Sequence, residues 1–396
     1  MNSTYTMNQT RGVPCGRSLV QPAFDVNLLE RILSSDNLQT AFERVESNDG
    51  APGVDGVFVK DFREWVKDRW SEILKSLWNG TYVPSPVLRC EIPKDNGTMR
   101  LLGIPTVLDR TIQQAISQII NPTFDQYFSN SSFGFRPARN CHQAVRQIRS
   151  YIREGYRIAV DVDLEKYFDT VNHDLLMERL GRRIKDKRVL RLIKSFLLSG
   201  VELRTKIPAK QGRGGYKAKI IKQVDPTLEG VPQGGPLSPL LANIMLDDFD
   251  KELERRGHKF ARYADDFIIV VKSQRAGERV LANVTKLLKK TFKLTVNEAK
   301  SQVVPTNECS FLGFTFKGTQ IRWTEKSYKK FIARIKELTS RTWGVSMEWG
   351  RMKTIIKKLL GLGVPIQRAV GLGRSSKAWW GRSHFVAFIN QPLAVL

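Results

Sequence analysis

Two apolar, β-rich runs carry paired carboxylates and constrain the fold more than any other feature of the sequence: IAVDVD, with Asp161 and Asp163, and FARYADDFIIVV, with Asp265 and Asp266. A carboxylate at the end of a buried strand is costly to desolvate unless a cation compensates it. Side chains of adjacent strand residues face opposite ways, so Asp265 and Asp266 can serve one spot only across a tight turn. The ADD sequence between two β-rich flanks predicts that turn. Taken singly, either pair would suit a capped loop. No His or Cys cluster lies near them, and hard oxygen donors of this kind favour Mg2+ or Mn2+ over zinc. Two such ions would stabilise the attacking and leaving oxygens of a nucleotidyl transfer.

Around these runs the elements alternate. Periodicity predicts helices over Leu28 to Val45, Asp61 to Trp78, Leu108 to Ile120, Cys141 to Glu154, His173 to Gly200 and Glu278 to Phe292. Asn48 to Gly56 reads as a turn-rich break, and Val87 to Pro93 with Met99 to Ile104 as a hairpin turning at Lys94 to Thr98. Ser131 to Arg139 (SSFGFRPAR) reads as a structured loop, Arg157 to Val162 as a strand, and Arg204 to Lys222 as a basic exposed hairpin or insertion. Val231 to Leu253 runs from a loop into a long apolar helix. Two short strands are expected within Phe260 to Val271, a strand region in Leu294 to Val304, and a last hairpin from Phe311 to Phe316 and Gln320 to Trp323. From 161 to 316 this order predicts an α+β unit with an antiparallel sheet.

A chain of 396 residues exceeds one ordinary domain and predicts two or three units. With 41% apolar and 26% charged residues it belongs with folded soluble proteins, which excludes collagen-like and wholly disordered classes. The 64 Lys and Arg against 39 acids leave a net charge of +25, a surplus that repels itself unless a polyanion offsets it, so nucleic acid is the expected partner. Residues 317–396 hold sixteen of those cations and three acids, interleaved with Trp323, Trp343, Trp349, Trp379 and Trp380. That pattern suits phosphates and unstacked bases, and equally a pair of amphipathic helices whose tryptophans are core. Cys15, Cys90, Cys141 and Cys309 lie too far apart for a zinc site or a disulfide framework, which points to a reducing, cytoplasmic setting. No window approaches the ~18 apolar residues of a membrane span, and no signal-peptide core opens the chain, so neither membrane insertion nor secretion is expected.

The motifs YADD at Tyr263 to Asp266, DLEKYFD at Asp163 to Asp169, PQGGPLSPLLANI at Pro232 to Ile244 and FLGF at Phe311 to Phe314 stand in one chain in that context. Together they resemble the reverse transcriptases encoded by bacterial group II introns. IPKDNGTMRLLGIPTVLDR, from Ile92 to Arg110, and the SSFGFRP loop look like that family's fingers motifs, and the likeness runs in order from about Leu28 to Trp343. The resemblance implies a right-hand polymerase fold. It would comprise an N-terminal helical extension (1–75), fingers (76–160), an antiparallel-sheet palm with some fingers elements inserted (161–318), and a truncated basic helical thumb and C-terminal region (319–396). It implies an RNA-directed DNA polymerase that adds dNTPs to a primer 3′-hydroxyl, with an RNA template, a DNA or RNA primer and group II intron RNA as partners, and a maturase role in splicing and mobility. No obligate protein partner is implied.

Carried over residue by residue, the resemblance makes Asp163 and Asp265 the metal-bridging carboxylates, Asp266 their close support and the Leu164 carbonyl a further ligand, with Asp161 structural. One ion would lower the pKa of the primer hydroxyl and the other hold the triphosphate. Tyr167 takes the place of the aromatic gate that leaves no room for a 2′-hydroxyl, and Phe168 that of a core aromatic. Lys94 and Arg100, on opposite arms of the fingers hairpin, would close over the triphosphate. Gln233 and Gly234 match the loop beside the nascent base pair, and Lys300 a lysine near the leaving pyrophosphate. Arg136 and Arg139 would hold template phosphates or stabilise their own loop.

The chain departs from the family's pattern after the FLGF hairpin. SRTWGVSM resembles the start of the thumb, but EWGRMKTIIKKLLGLGVP looks like a region normally found beyond it, and no nuclease domain follows GRSSKAWWGRS. Loss of most of the thumb would weaken processivity and RNA affinity while leaving the carboxylates intact. Two other readings share the residues: a non-catalytic RNA-binding maturase or remnant, and a defence-associated reverse transcriptase.

Overall fold

The run Ile158–Val162 is apolar at nearly every position because it is covered on both faces, in the interior of a four-stranded antiparallel sheet. The sheet order is Lys259–Tyr263, Asp266–Val271, Ile158–Val162, Gln302–Pro305. Val160 stands opposite Ile269 on one side and Val303 on the other. Helix Cys141–Arg153 opens with a reciprocal cap between Asn140 and Gln143 and lays Ala144, Val145, Ile148 and Ile152 against Ala159, Ala261, Ile268 and Val270. On the other face, helix Gln274–Leu287 comes so near that a Cβ on Gly277 would lie 2.4 Å from Val303 Cγ1. A computed structural model describes residues 27–93, 97, 99–211 and 215–338 of the chain, with only the backbone described over 206–211, 215–220 and 334–338.

This sheet and its helices form one of two units, made of Ser129–Leu164, Asp250–Lys286 and the residues from Val296 onward. Its last described elements are the hairpin Phe314–Lys317 and Gln320–Trp323 and the helix Glu325–Leu338. Trp323 sets its ring edge-on to Phe331 at 4.8 Å, so this tryptophan is used for packing. Trp343, Trp349, Trp379 and Trp380, with most of the expected thumb and C-terminal region, lie outside the described residues.

The other unit holds the chain up to Phe128, then Glu165–Phe249 and Leu287–Thr295. Its sheet runs in the order Met99–Ile104, Val87–Pro93, Val201–Gln211, Gly215–Asp225. Val87 and Leu88 pair in parallel with Val201 and Glu202, while the basic hairpin continues in its own register to Gln211 and Gly215. Helix Val107–Asp125 buries Ile112, Ala115, Ile116 and Ile120 and is the core element of this unit.

Helices and an antiparallel sheet in this order are the α+β class that the sequence predicts. The differences lie in continuity, since three expected helices are each split. Leu28 to Val45 becomes Leu28–Ile32 and Ser35–Ser47, because Ser34 is extended and Asn37 Nδ2 caps the Ile32 carbonyl at 2.7 Å. Asp61 to Trp78 becomes Phe62–Lys67 and Trp70–Asn79, with Arg69 Nη1 donating to the Trp65 carbonyl at the break. His173 to Gly200 becomes His173–Arg183 and Lys187–Leu197, and Asp186 caps the second. In Leu294 to Val304 the strand is confined to its end, Gln302–Pro305, because residues 297–301 form a turn. Among the described residues no helix is long and apolar enough to cross a membrane. Cys90, Cys141 and Cys309 are free thiols.

Candidate active site

The last pair of the Lys259–Tyr263 and Asp266–Val271 hairpin is Tyr263 with Asp266, so Ala264 and Asp265 alone make the turn. Ala264 has φ +60, the left-handed region, at a first central position that normally takes glycine. An alanine there costs about 1 kcal/mol or more, and its surroundings must hold it. The adjacent strand supplies the other acids. Asp161 lies opposite Ile268, and one step past the Val162–Phe267 pair Asp163 comes level with Asp266.

Asp163 is held by its backbone. Its N–H donates to Ser301 Oγ at 3.1 Å, its carbonyl accepts from Asn297 N–H at 2.8 Å, and Lys300 Nζ approaches its Oδ2 at 3.4 Å. Leu164 follows, buried and bridged to Val296. Asp161 accepts a long bond, 3.5 Å, from Gln302 Nε2, and burial together with the charge of Asp163 pushes its carboxyl above the usual range. Asp266 keeps part of its surface in solvent. Even so, partial burial and then the charges of Asp265, Asp163 and Asp161 raise it to about 6, with Lys300 opposing. Asp266 thus feels the charges of the other three carboxylates, and Asp161 that of Asp163, with Lys300 partly offsetting the effect on Asp266.

Clustered hard oxygen donors of this kind fit a divalent cation. Among the described residues no three acidic, His or Cys side chains converge into a closed cage. An ion held by two carboxylates would complete its shell from water and substrate phosphates, the usual habit of Mg2+.

Arg136 and Arg139 lie in the same unit. Arg136 is buried, and its Nη1 donates to the carbonyls of Ser129 and Ser132 at 2.6 and 2.9 Å, while Arg139 donates to the carbonyl and side chain of Asn130. These bonds all run within the loop that carries the two arginines.

The remaining expected residues belong to the other unit. Gly234 has φ +131, and a Cβ there would lie 2.5 Å from the Gly103 carbonyl oxygen. Gln233 accepts from Gly103 N–H at 2.8 Å through its backbone and from Arg100 Nε at 3.1 Å through its side chain. The Pro232 to Gly235 loop is thus pressed onto the strand Met99–Ile104. Tyr167 is buried, with its hydroxyl donating to the Ala242 carbonyl at 2.7 Å and its ring edge-on to Phe168 at 5.4 Å. Lys94 lies outside the described residues.

Sequence reasoning passed over Ser301, Gly134 and the Arg262–Asp250 pair. Arg262 gave a visible signal, a charge inside the apolar run KFARY. Its partner, twelve residues earlier on a helix, gave none.

An antiparallel sheet with clustered carboxylates on a tight turn and its neighbouring strand defines a polymerase-type nucleotidyltransferase. The family described as reverse transcriptase (RNA-dependent DNA polymerase) matches residues 92–316, and the chain belongs to it. Protein YkfC of Escherichia coli K12 is 30% identical over 370 residues, which cover 82% of this chain and 91% of that protein. Group II intron-encoded protein LtrA of Lactococcus lactis subsp. cremoris is 33% identical over 278 residues, 70% of this chain but 42% of that protein. A partial Cas6-RT-Cas1–Cas2 complex is similar over 66% of this chain and 42% of that chain, with 28% identity and a TM-score of 0.40.

Proposed function

We propose that the protein is an RNA-directed DNA polymerase of group II intron type, which extends a primer 3′-hydroxyl along an RNA template and takes part in intron splicing and mobility. The observation that carries this reading is geometric: the two-residue turn carrying Asp265 and the Asp266 beside it lie level with Asp163 on the neighbouring strand, a gathering of carboxylates that binding RNA alone would not require. Bound Mg2+, or Mn2+, would stabilise the attacking and leaving oxygens of the displacement. Asp163 and Asp265, with the Leu164 carbonyl, would hold it, and Asp266 would back them.

Other residues of the chain orient the substrates. Arg100, with Lys94, binds the triphosphate, and Lys300 neutralises charge on the departing pyrophosphate. The Tyr167 ring excludes a 2′-hydroxyl. Gln233 and Gly234 bring backbone against the nascent base pair, and the Gly103 carbonyl leaves no room for a side chain at 234. Arg139 would hold template phosphates, and Arg136 would keep that loop in shape. The partners are an RNA template, a DNA or RNA primer and group II intron RNA, and the setting is cytoplasmic. Names among the relatives that include group II intron-encoded protein and nuclear intron maturase support the intron association.

The test is primer extension by the full chain on an RNA template with Mg2+ and dNTPs. Extension is expected, and it should be lost with Asp163→Asn. RNA binding without any extension would favour the non-catalytic maturase instead.

A further inference from the structure

Arg262 and Asp250 are both fully buried, an unusual condition for two ionised groups. Arg262 Nε donates to Asp250 Oδ1 at 2.7 Å and Nη2 to Oδ2 at 2.5 Å, a two-pronged pair with the last turns of helix Ser238–Arg255. The third arm points forward, where Nη1 donates at 2.9 Å to the carbonyl of Ala264, the left-handed residue that begins the turn carrying Asp265. Backbone bonds hold the same residue from the side. Arg262 N–H donates to Ser131 O, and its carbonyl accepts from Phe133 N–H, both at 2.8 Å. The next glycine touches the turn itself, since a Cβ on Gly134 would lie 2.2 Å from Ala264 N.

A buried ion pair is a poor way to gain stability, because desolvation of both charges consumes most of their attraction. What it does gain is direction. With two prongs fixed on Asp250, the planar guanidinium has one orientation, and its remaining N–H groups act as a fixed strut. The strut ends on the carbonyl one residue before Asp265.

We propose that Arg262 is a positioning residue for the candidate active site: anchored by Asp250, it fixes the Ala264–Asp265 turn and so aims the Asp265 carboxylate at the divalent ion. The proposal rests on the reading of Asp265 as an ion-holding group. Lysine is a poor replacement, because its three donors sit on one nitrogen, whereas the arginine meets the two Asp250 oxygens and the Ala264 carbonyl from three separate nitrogens.

The test uses the full chain with two variants, Arg262→Met combined with Asp250→Leu, which leaves no orphaned charge, and Arg262→Lys. Mn2+ binding is read by electron paramagnetic resonance without nucleic acid, folding by thermal melting, and primer extension as kcat and dNTP KM. Both variants are expected to melt cooperatively, to bind Mn2+ about tenfold more weakly and to lose kcat at least tenfold with dNTP KM nearly unchanged. Mn2+ affinity and kcat within twofold of the parent in either folded variant would overturn the proposal. Failure of both to fold would make the pair a requirement of the fold and overturn it equally. An Asp265→Asn control separates the two levels: if it keeps full Mn2+ binding and extension, the reading of the site itself is wrong.

Discussion

At the scale of single residues, the structure is most informative where a side chain is forced into an unfavourable state. Asp109 is buried at the start of helix Val107–Asp125, where burial raises it to about 6 against hydrogen bonds from Thr106, Tyr82 and the Ser85 N–H. Its ordinary value is near 4, so between roughly pH 4 and 6 the folded chain binds more protons than the unfolded one. The stability this carboxyl contributes is therefore present at low pH and lost as pH rises through 6. Tyr82→Phe removes a donor that the charged form needs more than the neutral form does. The variant is expected to be destabilised by about 1–3 kcal/mol at pH 8 and by clearly less at pH 5, measured by urea unfolding at both values. The gate is tested at the same scale. Tyr167→Ala should admit ribonucleotides more readily than the parent, as read by competing dNTP and rNTP incorporation, and unchanged sugar selection with retained activity would move the gate elsewhere, with Phe168 as the next candidate.

Elements show what local sequence can and cannot specify. The sheet strands around Asp161 and Asp265 are legible because their apolar runs are short and continuous, and the ADD turn because adjacent acids cannot share a face of a strand. The helix breaks are not legible. Asp186 interrupts His173 to Gly200 by capping Lys187–Leu197 while also accepting from Leu29 N–H, a partner 157 residues away. Nothing in GRRIKDKR announces that partner. The same limit explains the site: the carboxylates are visible in motifs, whereas Ser301, Gly134 and Asp250 act through contacts that only the fold creates. Gly234→Ala tests one such contact. With φ +131 and no room beside the Gly103 carbonyl, it should cost about 1–3 kcal/mol in thermal or urea unfolding and slow extension by displacing Gln233.

For the whole molecule, charge is the feature that packing does not explain. A surplus of +25 calls for a polyanion, and the tail beyond residue 317 carries about half of it. A chain ending near residue 345 is expected to bind RNA more weakly and with a flatter salt dependence, the slope of log affinity against log salt falling by about 0.7–0.9 for each phosphate that is no longer neutralised. Short additions should persist and long products disappear. Equal slopes and equal product lengths would reduce the tail to packing. The central claim, that the carboxylates of the turn and its neighbouring strand perform RNA-directed DNA synthesis, is tested most directly by single-turnover primer extension with Asp265→Asn beside the parent, with RNA affinity measured on the same preparations. Asn keeps the shape and removes the charge. The account predicts extension lowered by about a hundredfold or more with RNA affinity within a few-fold of the parent, whereas extension at a rate comparable to the parent's would contradict it.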